Sequence, residues 1–139
     1  MEITRHYRRM LLVQAIFAWE DRSQQDALEL LSYIWKEVND LHPEKDLNDF
    51  DRERMTGMVE HIDEIRQMIT TFAPEWPLDR IASHDRAVLY LGIFELMHTD
   101  VPAAVVINEA VELAKDFGGD RSSKFINGVL STIHKKNSN

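Results

Sequence analysis

The chain has 139 residues, 44% of them hydrophobic and 29% charged, with a formal net charge of −8 and no cysteine. That length supports one domain, residues 1–139, with a substantial core, and the acidic balance argues against a protein that coats nucleic acid nonspecifically. Without cysteine there is no disulfide, thiolate nucleophile or cysteine-based metal site.

No apolar run approaches the roughly 20 residues of a membrane-spanning helix. The run MLLVQAIFAW after the basic start is short and lacks a small-residue cleavage site, so it is a poor signal peptide. A soluble cytoplasmic protein with no membrane contact is expected. The charge is unevenly spread. Residues 1–9 carry Arg5, Arg8 and Arg9 against Glu2, whereas residues 37–64 hold ten acids against Lys45, Arg52 and Arg54. A basic end on an acidic body points to a localised anion site and a separate basic partner.

Taken in order, residues 5–20 read as a helix, with Tyr7, Met10, Leu11, Gln14, Phe17 and Ala18 at helical spacing on one side. Ser23 can cap a second helix that runs to about Asn39. His42 to Asp49 reads as a solvated loop, and a long third helix follows from about Phe50 to Phe72. Gly57 sits inside that third pattern, where it costs about 1 kcal/mol relative to Ala unless a neighbouring helix packs closely on it; such packing is expected. Pro74 and Pro77 bracket Trp76, and a helical turn spans Leu78 to Ala82.

Ser83 can cap a fifth helix from His84 to about Met97, apolar almost all round as a central helix should be. Pro102 precedes a sixth helix, Val105 to Phe117, and Gly118-Gly119 provides a left-handed stop. Asp120, Ser122 or Ser123 can cap the last helix, which buries Phe125, Ile126, Val129, Leu130 and Ile133. No segment sustains period-two alternation, so the fold class is all-α, in two interdependent halves of roughly 1–73 and 74–139.

Glu95 and His98 have the Glu-x-x-His spacing that puts a carboxylate and an imidazole on one helix face, as in di-iron bundles. Those sites need a second such pair, and none occurs here. His84-Asp85 fits a helix start. There is no glycine-rich phosphate loop and no nucleophile elbow. Neither an enzyme nor a bound metal or cofactor is expected.

Binding of nucleic acid fits better. Arg5, Arg8 and Arg9 offer phosphate donors on the first helix, as do Arg121 and Lys124 beside the Gly-Gly turn. Phe17 and Phe125 offer stacking faces, although both also fit as core residues, and Gln14 and Asn127 offer amides for base edges. Single-stranded RNA recognition uses that combination.

The segments RHYRRMLLVQAIFAWE, WPLDRIASHDRAVLYLGIFELMHTDVP and VVINEAVELAKDFGGDRSSKFINGVL together resemble the NusB family of bacterial transcription antitermination factors over nearly the whole chain. The resemblance implies a compact seven-helix fold of two packed halves. It also implies a role: with NusE, a small-subunit ribosomal protein, to bind the single-stranded boxA element of nascent RNA and help RNA polymerase read through terminators, chiefly in ribosomal RNA operons.

Carried over by position, the RNA surface would be Arg5, Arg8, Arg9, Gln14 and Phe17 on the first helix with Lys124, Phe125 and Asn127 on the last. Asp79, Asp85 and Glu20 would meet the basic NusE-type partner. Four positions depart from the family pattern: His6 and Tyr7 interrupt the arginine run, Tyr90 replaces a usual arginine, and Arg121 replaces a frequent acid. The alternative is a helical protein-binding adapter or homodimer in ribosomal RNA processing that does not touch boxA.

Overall fold

A computed structural model describes residues 2–22, 25–38 and 40–137. The described residues form seven α-helices and one 3₁₀ turn, with no strand. The helices are α1 (Arg5–Asp21), α2 (Ala27–Glu37), α3 (Pro43–Asp46), α4 (Asp49–Glu60), α5 (Ile62–Phe72), α6 (Ser83–His98) and α7 (Ala103–Asn137), with the 3₁₀ turn Leu78–Arg80 between α5 and α6. The count matches expectation, but the seven are divided differently.

The loop expected from His42 to Asp49 contains α3. Pro43 starts it with a preset φ, and the Asp46 carboxylate accepts from the His42 amide at 2.7 Å. The single third helix is two. It breaks at His61 (φ −104°, ψ 16°), whose ring turns back to the Gly57 carbonyl. The last two expected helices run on as α7, interrupted only at Gly119 (φ 82°, ψ −167°). That positive φ suits glycine, but the ψ lies outside the left-handed helical stop that was expected.

The capping residues also differ. Asp26 caps α2 through the amides of Leu28 and Glu29. The expected cap Ser23 and end Asn39 lie outside the described residues. Ala82, not Ser83, precedes α6, and the Ser83 hydroxyl accepts instead from Arg86. Ser122 and Ser123 cap nothing: one donates to Asp85, the other to the Asp120 carbonyl.

One core spans both halves. The central α6 is buried continuously from Ala87 to Glu95 and packs against α1, α4, α5 and α7. Leu12, Ile16, Trp35, Met55, Met58, Ile65, Ile69, Leu89, Ile126 and Leu130 fill the space around it. Gly57 behaves as expected: a Cβ there would collide with the Phe94 ring of α6. Gly118 has a similar steric role, because a Cβ would strike the Ser122 hydroxyl and the His84 ring.

Candidate nucleic-acid interface

Thr4 caps α1 by accepting from the Tyr7 amide and so fixes the rotation of the arginines that follow. Arg5 faces solvent, its guanidinium 5.1 Å from the Phe50 ring centre. Arg8 turns inward. It pairs with the fully buried Asp51, donates to the Asp46 carbonyl at 3.2 Å and lies over Trp35. Burial pushes the Asp51 carboxyl above its ordinary range, opposed by the Asn48 amide and by Arg8.

Arg9 goes further in. Its fork donates twice to Glu95, at 2.9 Å each, and Arg54 donates to the same carboxylate at 3.0 Å. All three side chains are buried. Glu109 stands 3.9 Å from the other side of the Arg9 fork, and Phe50 covers the group with Arg54 3.7 Å and Arg9 5.2 Å from its ring centre. The expectation that Arg8 and Arg9 present free phosphate donors therefore meets an internal use for both.

Gln14 and Phe17 stay outside. One helical turn apart, they share an apolar hollow of about 410 Å³ with Ile34, His84 and Phe117, and Phe17 is 45% exposed. A large exposed ring beside an exposed amide is what an unstacked base needs.

The second expected group gathers elsewhere. Lys124 and Phe125 line a hollow of about 290 Å³ with Trp76, whose ring meets Phe125 edge-on at 5.6 Å. Arg121, Lys124 and Asn127 are exposed, and Asn127 accepts from Ser131 at 3.3 Å. The two hollows share no lining residue. Ahead of Gly119, α1 meets α7 through His6, which reaches Glu109 at 2.8 Å. Among the described residues, no ring contact, hydrogen bond or ion pair joins α1 to Arg121, Lys124, Phe125 or Asn127.

Trp76 is the aromatic that sequence reasoning left out. It is 49% exposed, and the signal was its place between Pro74 and Pro77, where no helix can bury it.

Of the three acids expected to meet a partner, only Asp79 is open, on the exposed 3₁₀ turn. Glu20 accepts from Arg86 at 2.7 Å and from the Tyr90 hydroxyl, with Arg66 3.5 Å away. Tyr90, the departure from the usual arginine, thus completes a network on Glu20. Its burial raises the phenol above the ordinary range, with Glu20 adding to the effect against Arg66. Asp85 is buried; one oxygen accepts from Ser122 at 3.3 Å and the other has no hydrogen-bond partner. Glu95 and His98 likewise part company, since Glu95 is committed to the two arginines. Among the described residues no helix is long and apolar enough to cross a membrane.

The fold has close counterparts. The NusB family model matches residues 6–135. A transcription antitermination protein NusB from Nitratiruptor is 39% identical over 137 residues, covering 96% of this chain and 93% of that one. The solved NusB of T. maritima superposes with a TM-score of 0.84 at 34% identity, over 98% of this chain and 94% of that one. A structure of the antitermination factors NusB and NusE in complex with double-stranded RNA matches with a TM-score of 0.82 at 27% identity, over 96% of this chain and 99% of that one. A matched family model over almost the entire sequence, with the same helical architecture, establishes that this chain belongs to the NusB family.

Proposed function

We propose that this chain is a transcription antitermination factor. With a NusE-type small-subunit ribosomal protein it binds boxA-like single-stranded RNA and acts within the RNA polymerase antitermination complex, chiefly on ribosomal RNA operons. The observation that carries the reading is the exposed Phe17 beside Gln14 in the hollow bounded by α1, α2, α6 and α7. It is supported by the shared fold of the NusB that was solved with NusE and double-stranded RNA. Phe17 offers a stacking face, Gln14 an amide for a base edge, and Arg5, Arg121 and Lys124 exposed cations for phosphates. The net charge of −8 repels RNA elsewhere and so confines contact to such patches. Asp79 offers a carboxylate to the basic partner. The role requires recognition and assembly and no bond chemistry.

The reading assigns Arg9 to the core and Arg8 largely to Asp51, which leaves Arg5, Gln14, Phe17, Arg121, Lys124, Phe125 and Asn127 as RNA contacts, with Trp76 added. The test is fluorescence anisotropy with a labelled boxA oligonucleotide, with and without the NusE-type protein, across a salt series. Lys124→Glu should weaken binding and reduce the salt slope by about 1. A variant that binds with unchanged affinity and slope removes Lys124 from the site. If the NusE mixture binds boxA no better than the chain alone, the joint role falls. Exposed Leu28 and Tyr33 on α2 favour the alternative, an adapter or homodimer that does not touch boxA. Size-exclusion chromatography without RNA separates the two.

A further inference from the structure

His61, Glu64 and His98 meet where the α4–α5 break touches the end of α6, away from both hollows described above. One ligand atom from each lies within 4.8 Å of the other two. His98 Nε2 is 3.3 Å from Glu64 Oε1, and the rings of His61 and His98 are 3.9 Å apart. His61 Nδ1 lies 2.9 Å from the Gly57 carbonyl oxygen. A carbonyl oxygen only accepts, so Nδ1 is the donor, and in the neutral ring that leaves the lone pair on Nε2. Metal-binding histidines show this arrangement: one ring nitrogen donates to a carbonyl, which fixes the tautomer and frees the other for the ion.

We propose that His61, Glu64 and His98 bind a divalent first-row transition ion of the zinc class. Two imidazoles and one carboxylate are a donor set suited to such ions, with further positions left to water. Glu64 is 45% exposed, which gives an ion a way in. His98 is the last residue of α6, where the helix dipole favours a cation.

The packing explains why these three residues meet. Gly57 admits the Phe94 ring against α4. One turn after Phe94, His98 comes opposite His61, and one turn after His61 comes Glu64. Phe94 touches both rings, with centres 5.5 Å from His98 and 6.1 Å from His61. An ion there clamps the α4–α5 break to the end of α6, one turn beyond Glu95 and its two arginines.

The test uses tag-free protein and zinc alone, titrated in competition with a chromophoric chelator, with cobalt(II) as a spectroscopic probe. One zinc per chain is expected, together with visible cobalt d–d bands. Zinc affinity should fall at least about tenfold in each of His61→Gln, Glu64→Gln and His98→Gln. His6→Gln should leave it unchanged, because His6 sits with Glu109 and Asp116. Far-UV circular dichroism confirms folding. Should His61→Gln misfold, the half-exposed Glu64 still provides the test. The site is overturned if the Glu64→Gln/His98→Gln double variant binds zinc as tightly as the natural chain, or if the loss follows His6 instead.

Discussion

Replacing Glu95 by Gln is the most severe small change the structure identifies. It keeps the shape of the side chain and removes the charge to which both Arg9 and Arg54 donate, leaving Arg9 only the half-buried Glu109 at 3.9 Å. Glu95 is 2% exposed, Arg9 4% and Arg54 6%, so water cannot take over the pairing. Removing one partner from a buried ion pair costs about 3–5 kcal/mol. For a chain of this size each kcal/mol is worth about 4 °C, which puts the drop in melting temperature between about 12 and 20 °C.

Urea and thermal unfolding followed by circular dichroism measure it. Arg9→Met should cost less, because Arg54 still balances Glu95. In the Glu95→Gln background, Arg9→Met should cost less again and can stabilise, since it removes an unpaired buried charge. A Glu95→Gln variant within about 1 kcal/mol of the natural chain would refute the buried-pair reasoning. Arg9→Met serves a second purpose: a reduced RNA salt slope with unchanged stability would return Arg9 to the RNA surface.

Four further outcomes are expected. Tyr90→Phe removes the hydroxyl bound to Glu20 and Arg66, at about 1.5–3 kcal/mol in urea unfolding. Burial raises the folded phenol pKa above its unfolded value, so its stabilisation is complete below about pH 10 and fades as pH rises through the folded value. Tyr90→Phe should therefore flatten the alkaline limb of the stability profile. Gly57→Ala should destabilise by about 1–3 kcal/mol through overpacking against Phe94, despite the better helix propensity of Ala. Gly119→Ala should lose a similar amount, about 1–3 kcal/mol, although nothing lies near its Cβ; there the cause is the backbone at φ 82° and ψ −167°. Phe17→Ala should leave the melting temperature almost unchanged and reduce boxA affinity by about 1–3 kcal/mol of lost stacking; equal affinity with and without the ring would take Phe17 out of the site.

What the sequence discloses here is periodicity and local chemistry. The unbroken apolar run of α6 announced a central helix, and Gly57 announced a close neighbour; both hold. The partners of Arg8 and Arg9 could not be read, because their carboxylates stand 43 and 86 residues away along the chain. A three-arginine cluster looks the same on paper whether it faces water or a buried acid. His61, Glu64 and His98 were hidden for the same reason, and Glu95-x-x-His98 drew attention to the wrong carboxylate. Helix boundaries failed where side chains compete for backbone groups. The long third helix breaks at His61, whose ring joins its amide on the Gly57 carbonyl, while Ser122 leaves its expected cap for Asp85.

The last helical stretch departs from a single joint, Gly119. From Gly119 to Asn137 the helix extends about 27 Å at 1.5 Å per residue, so a ten-degree swing at that joint would carry its tip about 5 Å. A lever of that length cannot be aimed by two torsions alone. The hold must come from anchors along the arm: Ser122 against Asp85 next to the pivot, then Ile126, Leu130 and Ile133 in the core. Lys124 and Phe125 ride on the arm between the first two anchors. Loosening Ser122 would therefore shift where the chain presents them without changing either residue.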